Sequence, residues 1–330
     1  MPNEETIVLC HACGCDISDD VSMMGADEHD YCCDCWDARF GYCHVCDEQF
    51  NIDELLSCDA GWVCAECNDD DDVTYDPNRQ TGCSDYSKMG SQRCFGVEIE
   101  TDTCNGHASA LRGSVWGAKN DCSVNGKEFF SSILNGNAGL EAVAKIASVA
   151  RRNDWNVDDN CGLHVHFDMR TENSDGMKSI ALAYLLSADV WSQFVAEERR
   201  DNHYCGPNNT DIGELYQTDN FYAWTGRQGR YYWINFAAYH NHRTFEVRSH
   251  QGTCNEKEIC NWIRGHAIFM DWASNAGWAK VRNMFLTADT AGRFDIIARI
   301  WADAGADDLV DYYKDKAEQY QTEDSCCDNW

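Results

Sequence analysis

At 330 residues, with 44% apolar and 12% aromatic side chains, the chain is long enough for two domains and a sizeable core. Its 56 Asp and Glu against 26 Lys and Arg set a formal net charge of -30, a surface that repels phosphate backbones and anionic lipids, so nucleic acid and membrane are not expected as partners. No apolar run approaches the ~20 residues of a bilayer span, the start MPNEETIVLCHAC lacks a secretion signal's apolar stretch, and 21 cysteines are an odd number; the expectations are a cytoplasmic protein and metal binding in place of a disulfide framework.

Three segments are expected in chain order: a cysteine-dense module over 1–67, an acidic linker over 68–92 and a main domain over 93–330. The first contains a repeat. Cys10 and Cys13 are followed by Cys32 and Cys35, and Cys43 and Cys46 by Cys64 and Cys67, with 18 and 17 residues between the pairs. Two thiolates on each of two tight turns complete a tetrahedron around Zn²⁺, and four protein ligands leave no open position, so both sites are expected to be structural. Near-identical spacing favours sequential pairing over a cross-brace of Cys10 and Cys13 with Cys43 and Cys46. Cys15, Cys33 and Cys58 fall outside the pattern and read as bystanders. Arg39 is the module's only Lys or Arg, so docking of a protein or an amine-bearing target fits it better than DNA reading.

In the main domain, 94–102, 126–132 and 161–168 read as strands, and 230–237 with 243–250 as a hairpin. Helices are expected over 138–152, 177–200, 255–275, 291–302 and 307–322, with Asn255 and Glu258 as an N-cap and partial capping box. Strands interrupted by long helical insertions predict an α+β fold around a curved, mostly antiparallel sheet.

Polar residues recur on those strands at period two. Glu98 and Glu100 share one face of FGVEIE; His164 and His166 share one face of CGLHVHFD; Glu246, Arg248 and His250 alternate along TFEVRSH; Glu128 follows Asp121-Cys-Ser123. Taken singly, an ExE pair is most often a solvated face and an HxH pair a hydrogen-bonded structural one. Together they place carboxylates, imidazoles and an arginine on strands of one sheet. Crowded carboxylates call for cations, and hard oxygen ligands suit Mg²⁺ or Mn²⁺. Metals with arginine are the equipment of phosphoryl transfer from a nucleotide.

The series FGVEIE, NDCSVNGKEFFSS, CGLHVHFD and RYYWINFAAYHNHRTFEVRSHQGT resembles the amidoligase family, over residues 93–275. That family belongs with the glutamine synthetase-like and glutamate–cysteine ligase-like carboxylate–amine ligases. The resemblance implies an ATP-dependent ligase that phosphorylates a carboxylate and lets an amine displace the phosphate. It implies Glu98, Glu100, Glu128, His164 and Glu246 as magnesium ligands, and His166 near the nucleotide. Arg248 would meet the transferring phosphoryl group, Arg230 and Arg243 other phosphates, and Asp121 the amine; Asn235 would face the site. The family's Asp-x-Ser turn usually carries Gly where this chain has Cys122. Two other readings stand beside it: a zinc-dependent binding adaptor on a degenerate ligase fold, and a metallohydrolase built on His164 and His166. The zinc module points toward a macromolecular substrate, protein or peptide, since a small metabolite needs no docking domain.

Overall fold

The structure, a computed structural model, describes residues 8–18, 22–25, 27–42, 49–58, 61–64, 85–104, 114–121 and 123–327. It divides into two compact units, Met1–Asn78 with Arg112–Ser114, and Arg79–Leu111 with Val115–Trp330. Among the described residues no helix is long and apolar enough to cross a membrane.

Among its described residues the smaller unit has three two-stranded antiparallel ribbons: β1 (Met23–Met24) with β2 (Asp30–Tyr31), β3 (Phe40–Tyr42) with β4 (Gln49–Asn51), and β5 (Leu55–Cys58) with β6 (Gly61–Cys64). One short helix, α1 (Cys33–Asp37), follows the first ribbon. Cys10, Ile17, Tyr31, Trp36 and Phe40 form its buried cluster.

The larger unit carries a six-stranded sheet in the order β11-β12-β10-β7-β9-β8, with every neighbouring pair antiparallel. The strands are β7 (Phe95–Glu100), β8 (Trp116–Lys119), β9 (Glu128–Ser131), β10 (Gly162–Asp168), β11 (Ile234–Asn235) and β12 (Thr244–Gln251). Period-two alternation sorts their side chains. Phe95, Val97 and Ile99, Leu163, Val165 and Phe167, and Phe245 and Val247 are buried in one apolar cluster with residues of α2 (Gly136–Arg152), α3 (Ser174–Trp191) and α7 (Glu256–Phe285). The alternate positions form the opposite, polar face. Short helices α4 (Ile212–Gln217), α5 (Phe221–Thr225) and α6 (Ala238–His242) border the sheet region in sequence, and α8 (Thr290–Asp303) and α9 (Asp307–Cys327) close the chain. The α+β class and the antiparallel sheet are as expected from the sequence.

Several expected elements differ, for identifiable reasons. Residues 85–92 are not linker. Met89 is fully buried, Asn137 Oδ1 accepts the Lys88 and Met89 amides, and Ser91 donates to Asp271 Oδ2 at 2.6 Å. The helix expected to reach residue 200 stops at Trp191. Beyond it the Arg200 guanidinium binds the Ser192 and Val195 carbonyls, and two 3₁₀ turns, Ser192–Phe194 and Glu197–Arg199, carry the chain on. The expected strand 230–237 pairs with β12 only at Ile234 and Asn235. The Asn208 side chain takes both backbone groups of Ile234 and so closes that edge. Asn255 caps α7, but Glu258 turns to Thr253 and Lys316 and does not close a capping box.

One irregularity redirects a site candidate. Leu163 pairs with His250 while Val165 pairs with Val247, so β12 contains a bulge. The extra residue shifts the phase of the strand. Glu246 and Arg248 stay on the polar face, and His250 turns to the face of Leu163, where its ring lies 4.7 Å from that of Trp262. Burial disfavours its charged form and lowers its pKa to about 4, although Glu258 nearby favours the charge and Lys316 and Arg199 oppose it. In the unfolded chain a histidine titrates near 6.5. The neutral-histidine contribution is therefore fully present above pH 6.5 and is lost as pH falls toward 4. Stability is expected to drop by about 2 kcal/mol from this residue between pH 7 and pH 5. Urea titrations at the two pH values should show a smaller drop in His250→Gln than in the parent; an equal drop in both refutes the assignment.

Candidate active site

Glu98 and Glu100 from β7, Glu128 from β9, His164 and His166 from β10, and Glu246 and Arg248 from β12 line one cavity of about 420 Å³. Asp121, Ser123, Arg230 and Asn235 border the same cavity. The convergence follows from register. Glu98 stands opposite His164, Glu100 opposite Glu128, and His166 opposite Glu246, each pair crossing between neighbouring strands on the polar face.

His164 sits at the centre. Its Nδ1 is 3.3 Å from Glu98 Oε2 and 3.7 Å from Glu246 Oε1, and its Nε2 is 3.7 Å from Glu100 Oε1. His166 Nδ1 is fixed by Thr244 Oγ1 at 2.8 Å, which leaves Nε2 facing Glu98 at 3.5 Å and Glu246 at 3.9 Å. Glu246 accepts from Asn235 Nδ2 at 2.6 Å and is paired with Arg248. The Gly162 amide donates to Glu100 Oε2 at 2.5 Å. Glu128 Oε1 is ion-paired with Lys119 Nζ at 2.7 Å.

The charges explain one another. Burial would raise the Glu98 pKa, but hydrogen bonds and charge from His164 and His166 outweigh it and hold the carboxyl well below its usual range. Burial would lower His166; the Glu246 and Glu98 carboxylates raise it instead. Burial likewise works against Glu246, which His166, Arg248 and His164 keep ionised. Glu128 goes the other way: burial, with the Glu98 charge behind it, pushes its carboxyl up to about 8 despite Lys119.

Two groups of cavity side chains among the described residues could hold a metal ion, Glu98–His166–Glu246 and Glu100–Asp121–Glu128, each with one donor atom per residue within 4.8 Å of the others. Both are oxygen-rich, so the donor set fits a hard divalent cation. This grouping differs from the sequence reading at two residues. His166 stands in the first group where His164 was expected, because Thr244 aims its Nε2 inward. Asp121 stands in the second. One Asp121 oxygen accepts from the Ser123 amide at 2.7 Å and hydroxyl at 2.5 Å, closing the turn; Cys122 itself lies outside the described residues.

Arg243 does not line the cavity. It follows α6 in a left-handed conformation (φ 56°), and its guanidinium lies 4.9 Å from the Tyr222 ring centre and 5.2 Å from that of Tyr239. Arg230 does reach the cavity, stacked on Tyr231. Sequence reasoning missed Lys119, because WGAK carries too little alternation to read as a strand. It missed His242, whose ring lies 5.7 Å from that of His166, although the neighbouring histidines in HNH were a signal. It also missed Arg199, which no periodicity marks.

In the smaller unit, the Sγ atoms of Cys10, Cys13, Cys15 and Cys32 lie within 4.8 Å of one another, so this cluster could bind zinc. Cys15 is a member, since it sits 3.3 Å from Cys13, sulfur to sulfur, and is no bystander. Cys35 stands beside the group, hydrogen-bonded to Cys32 and Cys13. Burial opposes ionisation of Cys10, but backbone hydrogen bonds from Cys13 and Cys32 prevail and lower its pKa to about 5. The four thiols of this cluster all come from the first repeat. Cys43, Cys46 and Cys67, and the side chain of Cys64, lie outside the described residues.

Fold and site together define an α+β protein whose six-stranded antiparallel sheet gathers carboxylates, imidazoles and guanidinium groups on its polar face. Residues 117–270 match the family model described as "Putative amidoligase enzyme", so this stretch carries the resemblance to a family of ligases. The match begins after β7, and FGVEIE lies outside it. No curated protein matches the chain. Among solved structures the chain is similar to a bifunctional glutathione synthetase from Pasteurella multocida, with 12% identity, a TM-score of 0.41, and coverage of 71% of this chain and 48% of that one. The chain thus spans about half the length of that protein, and so distant a likeness carries nothing about chemistry.

Proposed function

We propose that this protein is an ATP-dependent carboxylate–amine ligase working through an acyl phosphate. The observation that carries the reading is the pair of ligand groups, Glu98–His166–Glu246 and Glu100–Asp121–Glu128, facing one cavity with Arg248 between the strands. Mg²⁺ or Mn²⁺ held there would polarise the phosphoryl oxygens of a nucleotide and offset their charge. His164 Nδ1 hydrogen-bonds Glu98, its ring nitrogens lie 3.7 Å from Glu100 and Glu246, and Asn235 and Arg248 hold Glu246. A substrate carboxylate oxygen attacks the terminal phosphorus, the bond to the bridging oxygen breaks, and ADP leaves with the electron pair. The Arg248 fork meets the charge on the phosphoryl group in flight. The amine then attacks the acyl carbon, phosphate departs, and the ammonium proton passes to a cavity carboxylate. Asp121, which borders the cavity and is held by Ser123, is the carboxylate we assign to that step.

The cysteine module fits two structural zinc sites. Cys10, Cys13 and Cys32 with Cys15 or Cys35 would form the first, and Cys43, Cys46, Cys64 and Cys67 the second. Its acidity suits recruitment of a protein or peptide substrate. Metal analysis should find about two zinc ions per chain. Cys13→Ser should lose one; loss of both would mean the sites are cross-braced.

The activity test is trapping. Incubation with ATP, Mg²⁺ or Mn²⁺ and a pool of carboxylic acids in hydroxylamine should yield hydroxamates, because hydroxylamine captures acyl phosphates. Calorimetry showing no ATP binding with either cation would overturn the reading.

A further inference from the structure

Arg199 lies in the second 3₁₀ turn beyond α3, borders the cavity, and is only 3% exposed. A guanidinium carries five N–H donors. Arg199 spends Nη2 on the Arg248 carbonyl at 3.0 Å, and its Nε has no partner. Among the described residues it has no ion-pair partner, in a cavity otherwise crowded with carboxylates. Leaving a buried charge uncompensated is costly, and a native chain tolerates it where a ligand supplies the missing partner. Arg248 shows the same feature at lower degree: Glu246 occupies one of its amino groups, and its Nε is also buried without a partner.

The two arginines stand at different ligand groups. Arg248 adjoins the Glu98–His166–Glu246 group through Glu246. Arg199 adjoins the other. A methyl group at Gly162 would lie 3.0 Å from Arg199 Nη2, 3.2 Å from Glu100 Oε2 and 2.7 Å from His164 Nε2, so these three groups converge on the space that glycine leaves open. An anion reaching both ligand groups therefore meets both guanidiniums. A tetrahedral phosphoryl group, with three non-bridging oxygens, can use donors from both sides; a carboxylate has two oxygens in one plane.

The geometry points to Arg199 and Arg248 as a two-guanidinium seat for the terminal phosphoryl group of the nucleotide, with Arg199 as its unassigned half. This rests on the ligase reading and adds to it the residue that distinguishes nucleoside triphosphate from diphosphate. Arg248 is bound to the strand that holds Glu246, so its loss would disturb the ligand group. Among the described residues Arg199 is in no ion pair with a carboxylate, so its removal leaves the pairings of both ligand groups in place, and glutamine keeps an N–H donor for the Arg248 carbonyl.

The experiment is calorimetry of the full chain and of Arg199→Gln with Mg·ATP, Mg·ADP, inorganic phosphate and acetate. Loss of a charge-assisted hydrogen bond should weaken Mg·ATP binding about 10- to 100-fold, with Mg·ADP changed less than about twofold and phosphate weakened in parallel with ATP. Arg199→Lys should fall between the two, retaining charge without the fork. Equal weakening of ATP and ADP, or no change in either, overturns the seat. Loss of acetate with phosphate retained would assign Arg199 to a carboxylate and also overturns it. If the parent chain binds neither nucleotide, the ligase reading fails by itself; phosphate bound by the parent and lost in the variant would still support an oxyanion seat, and phosphate bound by neither would remove it. If Arg199→Gln does not fold, as judged by circular dichroism, the Arg199→Lys comparison of ATP with ADP decides.

Discussion

Glu98→Gln is expected to reduce cation-dependent nucleotide turnover at least about 100-fold while leaving the thermal midpoint nearly unchanged. The side chain is a quarter exposed to the cavity, so the replacement buries no new polar surface. Its carboxylate faces both imidazoles more closely than Glu246 does: Oε2 lies 3.3 Å from His164 Nδ1 and Oε1 lies 3.5 Å from His166 Nε2. Glutamine keeps the shape and turns one of these acceptors into a donor. It also removes one negative ligand from the Glu98–His166–Glu246 group, where the remaining charge is shared with Arg248. A divalent cation loses affinity there through both charge and geometry. Titration with Mn²⁺, followed by electron paramagnetic resonance, separates binding from turnover. Turnover within about threefold of the parent would exclude Glu98 from the metal-holding group.

Arg93→Leu is expected to destabilise the larger unit by roughly 3 kcal/mol, the scale of a broken buried ion pair. Arg93 is nine-tenths buried and every end of its fork is in use. Nε donates to Asp271 Oδ1 at 2.8 Å, Nη1 to the Asp168 carbonyl at 2.7 Å, and Nη2 to Glu172 Oε1 at 2.6 Å. It thereby ties the entry of β7 to the end of β10 and to α7. Leucine leaves the Asp168 carbonyl without this donor and the Glu172 carboxylate, 15% exposed, without its cation. Asp271 is about a third exposed and contributes less, because water screens it. Equilibrium urea unfolding measures the loss. A change under about 1 kcal/mol would show that Glu172 and Asp271 find other partners.

The site is legible in sequence where it depends on alternation along one strand. Glu98 with Glu100, and His164 with His166, are neighbours by period two, and side chains two residues apart on a strand share a face whatever the rest of the chain does. The two cysteine pairs of the first repeat are legible for the same kind of reason, since CxxC spacing brings thiols together locally. Arg93 and Met89 show the opposite case. Both fall in or beside an acidic, proline-bearing stretch that reads as linker, yet both are buried, because what buries them is α7, more than 170 positions away for Arg93 and Asp271.

The amino-acid sequence by itself determined the α+β class, the polar face of the central strands and the chemical character of the site, since each follows from residue type and a repeat of two. Tertiary structure alone decided which ligands meet. The bulge in β12 turned His250 into the core while keeping Arg248 with Glu246, because one extra residue reverses the phase of a strand only relative to its partner. Thr244 chose His166 for the first ligand group, and the Asp121 turn joined Glu100 and Glu128 across two strands. Cys15 entered the thiol cluster through the fold of its loop. Arg199 reached the cavity because α3 ends early and the following turns lead back to the sheet. Such meetings depend on distances between segments remote in sequence, and no local pattern encodes those distances.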